Sequence, residues 1–192
     1  VATGAATRLQ PERYSAAQRR TTTAALDLFA ERGVSGTSLQ MIADALGVTK
    51  AAVYHQFRTK EAIVVAVAEV ELAALEAAVD VAEAEPSRHE ARQVLLTEVI
   101  DLAISRRRWV NALQGDPVMI RLLGSHPPFV ELMTRVYALL LDEEPDVGTQ
   151  VRTAIISGAI GAAIVHPLVA DLPDDVLRTE LLAATRRLFD LE

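Results

Sequence analysis

The chain has 192 residues, 51% hydrophobic, 23% charged and only 4% aromatic. That is the balance of a globular protein long enough to bury a core, and its richness in small aliphatics points to an all-α fold. The absence of Cys excludes a disulfide framework, a thiol nucleophile and a Cys-ligated metal, and four scattered His residues offer no metal set, so neither metal nor cofactor is expected.

The net charge of −7 argues against nucleic acid until its distribution is read. Residues 1–60 hold 8 Lys/Arg against 4 Asp/Glu, net +4, and residues 61–192 hold 11 against 22, net −11. A basic front and an acidic rear suggest two jobs in one chain.

Residues 1–14 lack periodicity and read as a loose arm. Ser15-Ala16-Ala17-Gln18 is a capping box opening a helix to about Arg32, with Ala25, Leu28 and Phe29 on its buried stripe and Gly33 as its stop. Thr37-Ser38-Leu39-Gln40 reads as a second capping box. The short helix behind it carries Leu39, Ile42, Ala43 and Leu46 in helical register and ends at Gly47. Thr49 caps a third helix, to about Phe57. Thr59 caps a fourth, from Lys60 to about Ala84, broken by Pro86. Ser87-Arg88-His89-Glu90 opens a long helix to about Trp109. Asp116-Pro117 starts a short helix ended by Gly124, and Pro127-Pro128 starts another with Phe129, Leu132, Met133, Val136 and Leu140 on one face. Residues 142–148 form an acidic loop. A helix over about 147–167 is apolar nearly all round, and Pro173-Asp174 opens the last, with Leu177, Leu181, Ala184 and Leu188 in line. About nine helices and no convincing strand result, divided into the arm 1–14, a front domain 15–58 and a rear domain 59–192.

No secretory signal is visible in the first thirty residues, which carry Arg8, Arg13, Arg19 and Arg20 and no apolar run of signal length. Thr153 to Ala170 lacks a formal charge but contains His166-Pro167 and falls short of the ~20 residues of a membrane span. It reads as a buried helix, and a cytoplasmic protein with no membrane partner is expected.

The informative segment is Thr37 to Lys60: two short helices meeting at Gly47 through a tight turn, a helix-turn-helix pattern. Ala43 is small where the second helix crosses, and Gly47 supplies positive φ. The helix 49–57 would enter a major groove by its N-terminal end. Thr37 and Thr49 sit at helix N-termini, which favour anions. Lys60, at the first turn of the fourth helix, opposes the helix dipole, and a nearby phosphate would account for it.

At these residues the chain resembles the TetR family of transcriptional regulators. The resemblance runs from Arg20-Thr21-Thr22 to Leu28-Phe29-Ala30-Glu31-Arg32-Gly33, through Thr37-Ser38-Leu39-Gln40-Met41-Ile42-Ala43. It continues through Leu46-Gly47-Val48-Thr49-Lys50-Ala51-Ala52-Val53-Tyr54-His55-Gln56-Phe57 to Lys60-Glu61-Ala62. It implies a three-helix DNA-binding domain on a helical-bundle effector and dimerisation domain. The function it implies is a ligand-responsive repressor that binds a palindromic double-stranded operator as a homodimer and is not an enzyme. By the same resemblance Tyr54 and Lys60 contact phosphate, and Thr37, Thr49, Lys50 and His55 lie near backbone or bases. Gln40 stands where Arg is frequent, Ala51 where Gly is frequent and Ala52 where a hydroxyl residue is commoner. Ala51 and Ala52 can pack on thymine methyls.

Elsewhere the residues leave alternatives open. Trp109, Met119, Phe129, Met133 and Tyr137 either line a pocket for a small hydrophobic or aromatic effector or are ordinary core. Arg106-Arg107-Arg108 reads as a basic cluster favourable to a helix C-terminus. Gly158 and Gly161 each cost roughly 1 kcal/mol in a helix interior and need a close approach to account for them. The resemblance implies a dimer interface built from the last two helices, with Gly158, Gly161, Leu181 and Leu188. The rival function is an all-helical carrier or enzyme retaining the front domain as a relic.

Overall fold

The structure is a computed structural model, and it describes residues 8–141 and 146–189. The described residues form ten α-helices and two short 3-10 turns. The helices are α1 (Ala16–Gly36), α2 (Leu39–Leu46), α3 (Lys50–Gln56), α4 (Lys60–Glu83), α5 (Arg88–Ser105), α6 (Arg107–Gly115), α7 (Pro117–Gly124), α8 (Pro127–Leu140), α9 (Val147–Ile164) and α10 (Asp174–Leu188). They fall into two compact units. The first gathers the described residues up to Ala73 together with Asn111–Glu131, and the second gathers Ala74–Val110 with the residues from Leu132 onward.

The first unit is built on cap chemistry that the sequence announces. The Ser15 hydroxyl accepts from the Gln18 backbone N–H, and the Gln18 side chain accepts from Ser15 N, a reciprocal box. α1 is not one straight helix: Gly33 takes φ 70° and ψ 166°, so regular helix stops there and a short tail runs to Gly36. The cap of α2 is Ser38, whose hydroxyl accepts from Met41 N, rather than the expected Thr37. Thr37 is buried, and its hydroxyl donates backward to the carbonyls of Gly33 and Leu28, which closes the kinked end of α1.

Residues 9–14 depart from the loose arm expected of them; residues 1–7 of that arm lie outside the described residues. Leu9 and Tyr14 are buried, Pro11–Arg13 forms a 3-10 turn, and the Tyr14 ring packs 6.2 Å from that of Phe57. The anchor is Glu69 of α4, only 2% exposed. Tyr14 OH donates to Glu69 Oε2 at 2.8 Å, Arg13 Nη2 to Oε1 at 3.1 Å, and His126 Nε2 lies 3.1 Å from Oε1. A buried carboxylate is tolerable only with partners such as these. No periodicity argument finds Glu69, which interrupts the otherwise apolar run from Ile63 to Val70.

The second unit contains one correction of an element. The helix opened by Ser87 ends at Ser105, not near Trp109, because Arg106 leaves helical geometry (φ −113°, ψ 33°) and α6 begins at once. Arg107 of the basic run lies 2.5 Å from Asp174 at the start of α10, and a bidentate Arg178–Asp101 pair joins α10 to α5. Arg135 of α8 binds Asp80 and Glu83 of α4, which holds its guanidinium above its ordinary range. The expected α10 stripe is rotated. Leu177, Leu182, Thr185 and Phe189 are buried, Leu181 is half-buried and Leu188 is exposed. Residues 142–145 of the acidic loop lie outside the described residues. Asp146 caps α9 through Thr149 N, and that bond holds its carboxyl below the usual range.

α9 carries Thr149, Thr153, Ile156, Ile160 and Ile164 on its buried stripe. Its other face shows Val147, Val151 and Ile155 at 75%, 51% and 50% exposure. A Cβ on Gly158, on that outer face, would meet no atom within 4 Å, so packing inside the protomer does not account for this glycine.

The Glu69 cluster makes a stability prediction. Burial is the largest cause raising the Tyr14 phenol, to about 12. A group raised in the folded state contributes stability below its unfolded pKa of about 10 and loses it as pH rises toward 12. Tyr14→Phe should lower stability by about 1.5–3 kcal/mol at neutral pH, the worth of a hydrogen bond to a charged group. It should also flatten the alkaline loss between pH 10 and 12; urea titrations at both pH values check this.

Candidate nucleic-acid interface

α2 and α3 form the helix-turn-helix. Gly47 takes φ 66° and ψ 32°, and its N–H, with that of Val48, donates back to the end of α2, so three residues suffice for the turn. Thr49 caps α3 by accepting from Ala52 N. Ile42, Ala43 and Val53 are fully buried between the helices. The far end of α3 is tied to α1 through Gln56, whose carbonyl accepts from Gln18 Nε2 (3.3 Å) and whose side-chain oxygen accepts from Thr21 (2.9 Å). α3 is thus fixed at both ends with its outer face open.

That outer face carries Thr49, Lys50, Ala51, Tyr54 and His55, all exposed, with Ala52 half-buried at its edge. Gln40 is exposed on α2 and its amide donates to Asp44 Oδ1 at 2.7 Å. Tyr54 is 47% exposed, whereas Phe57 is core. Sequence reading passed over Arg58. Its guanidinium stands 5.2 Å from the centre of the Tyr54 ring, a cation–π contact that places a phenol and a guanidinium side by side on the surface. The four-residue spacing from Tyr54 is a signal that would have found it.

Two expected site residues have intramolecular work. Thr37 is buried and committed to α1. Lys60 Nζ donates to the carbonyls of Val34 (2.5 Å) and Thr37 (2.9 Å). A cation at the start of α4 therefore needs no phosphate to account for it: two backbone carbonyls at the end of α1 accept its hydrogen bonds. Of its three N–H donors, these two bonds leave one for another acceptor.

The five candidate pocket residues are distributed over both units. Met119 and Phe129 belong to the first, Trp109, Met133 and Tyr137 to the second. Trp109 and Met119 are buried, Phe129 and Met133 half-buried, and Tyr137 is exposed. Of the interface candidates, Gly158 and Leu188 are exposed, and Gly161 and Leu181 are half-buried.

A three-helix unit that presents a rigid, open second helix of a helix-turn-helix defines a DNA-binding domain. Residues 22–67 match the family model described as bacterial regulatory proteins, tetR family. No curated protein matches the sequence. Among solved structures, the ketosteroid transcriptional regulator KstR2 of Mycobacterium tuberculosis is similar over 93% of this chain and 96% of its own, with 21% identity and a TM-score of 0.70. The TetR family regulator PfmR from Thermus thermophilus is 26% identical over 87% of this chain and 97% of its own, with a TM-score of 0.58. A TetR-like regulator from Rhodococcus sp. RHA1 is 20% identical over 91% and 97%, with a TM-score of 0.69. Residues 22–67 are thus a TetR-family DNA-binding domain, and the chain has the fold of the TetR-family transcriptional regulators.

The geometry separates two neighbours in their effects. Lys60→Ala should destabilise the protein without DNA by about 1.5–3 kcal/mol, because two buried-side carbonyls lose a charged donor. Tyr54→Phe should change stability by less than about 0.5 kcal/mol, as expected of an exposed surface substitution. Urea denaturation of both variants checks the contrast.

Proposed function

We propose that the chain is a ligand-responsive repressor that binds a palindromic operator as a homodimer in the cytoplasm and has no enzymatic role. The observation that carries this reading is the open face of α3, with Lys50, Ala51, Tyr54 and His55 exposed and Arg58 stacked on Tyr54. Affinity comes from phosphate contacts by Tyr54, Arg58 and the free donor of Lys60, with the α2 and α3 N-termini, Thr49 and Gln40 alongside. Sequence is read by Lys50, Ala51, Ala52 and His55, the alanines against thymine methyls. The buried Thr37 acts from behind, by closing the kinked end of α1 that leads into α2. The acidic total does not oppose this, since residues 1–60 carry net +4 and repulsion from distant carboxylates fades over a Debye length of about 8 Å.

The dimer is read from α9 and α10. An apolar outer face with an unencumbered glycine, and Leu181 and Leu188 turned away from the core stripe, fit a second copy of the chain. The effector is read as small and hydrophobic or aromatic, with Met119 and Phe129 as its candidate contacts in the first unit and Trp109, Met133 and Tyr137 in the second. Trp109 is the single tryptophan, so its fluorescence reports binding nearby.

The test is a binding series on operator duplexes selected from random sequence, with scrambled DNA as control. Binding should weaken steeply with salt. Tyr54→Phe and Arg58→Ala should lower affinity on both DNAs alike, whereas substitutions at Lys50, Ala51 or His55 should change base preference by about 1–3 kcal/mol per lost contact. Unaltered preference in all three of the latter variants would place the reading helix elsewhere.

Gly158→Leu should leave the protomer folded and weaken self-association, because the side chain meets open space within the protomer and a partner backbone across the interface. Sedimentation equilibrium at micromolar concentration checks it, and a monomeric wild type would sink the dimer reading.

A further inference from the structure

We propose that Asp116 is a positioning residue for the DNA-binding face, making the placement of α2 and α3 depend on α7. The inference rests on the DNA-binding reading and adds to it the residue outside the helix-turn-helix that holds the reading helix in place.

The two oxygens of this buried carboxylate have separate tasks. Oδ1 accepts from Val118 N (2.8 Å) and Met119 N (3.4 Å) and so caps α7. Oδ2 accepts from Val34 N, across 82 residues of sequence. Val34 lies in the joint that leads from the kink of α1 into Ser38, the cap of α2. A helix cap needs only one acceptor oxygen, so the second bond is not required by α7 itself.

Gly33 supplies a second, independent observation. Its φ of +70° is one that side-chain-bearing residues rarely adopt, and a Cβ there would lie 3.0 Å from Asp116 Oδ2. The joint is thus shaped to admit the carboxylate. A third tie runs the same way: Asn111 Nδ2 donates to Ala30 O on α1 at 3.1 Å. Because one side chain both starts α7 and holds Val34, α7 cannot shift against α1 without one of the two bonds breaking. The Val34 carbonyl is meanwhile held by Lys60, so movement of α7 reaches the joint that sets the direction of α2 and α3.

Two substitutions separate the cap from the clamp. Asp116→Asn keeps a cap oxygen but turns an NH2 donor toward the Val34 N–H, and Asp116→Ser caps α7 with a hydroxyl too short to reach Val34. In the full chain, both should melt several degrees below the wild type, because the buried Val34 N–H loses its acceptor, yet stay folded at 25 °C and lose about tenfold in affinity for the selected operator duplex. The salt slope should stay unchanged, because no phosphate contact is removed. By hydrogen exchange, the Val34 amide should be protected in the wild type and fast in both variants.

Variants that bind within twofold of the wild type would overturn the proposal, as would a wild-type Val34 amide exchanging like an exposed one. Should both variants unfold, wild-type exchange decides. Val34 must then gain protection together with α3 when the duplex is added, and equal exchange with and without DNA overturns the clamp. A wild type that binds no duplex would instead count against the DNA-binding reading, and Val34 exchange still tests the contact.

Discussion

The front of this molecule depends on how one residue's backbone is satisfied. When Gly33 turns the chain out of α1, Val34 is left with a donor that the regular helix no longer pairs and a carbonyl held only by the turn bond from Thr37 N, in a place where water does not reach. Buried backbone groups must find partners. Here the donor meets a carboxylate and the acceptor meets an ammonium, each the stronger charged form of its kind. Those charges belong to residues that begin other helices, Lys60 of α4 and Asp116 of α7. The solution to a local backbone problem therefore fixes the starting points of two helices against the joint that aims the helix-turn-helix.

The same logic separates what was legible in the sequence from what was not. Ser15 with Gln18, Thr49, Asp116 with Pro117, and Gly47 each solve a problem within four residues of themselves, and their chemistry reads directly from the chain. Thr37 and Ser38 are both good caps on local grounds. Ser38 does the capping because the hydroxyl of Thr37 is drawn to the carbonyls of Gly33 and Leu28. The break at Arg106 has no proline or glycine to mark it. Glu69 was hidden for another reason: its partners lie 55 to 57 residues away, and only the folded chain brings Arg13, Tyr14 and His126 to one carboxylate.

At the candidate site, residue types were readable and their duties less so. Exposed positions on α3 follow from helical period once Val53 is placed in the core. The duty of Lys60 does not, because an ammonium near a helix start suits a phosphate and a pair of backbone carbonyls equally well. Arg58 shows the converse, a cation with no role in cap or core that acquires one through the ring of Tyr54. With only alanines between Lys50 and Val53, the helix offers few hydrogen-bonding groups to bases. Under the proposed reading, recognition then leans on methyl contacts and the shape of the groove.

The outer face of α9 sets conditions on the life of the isolated chain. Val147, Val151 and Ile155 stand open in the protomer, and water must be kept ordered around them until something covers them. A fold completed by association has a stability that depends on its own concentration. Dilution then acts on such a protein as a mild denaturant. Under the proposed pairing of two copies, a cell that makes few of them keeps a larger share of chains in the sticky, single form, where chaperones and proteases compete with the second copy for the same surface.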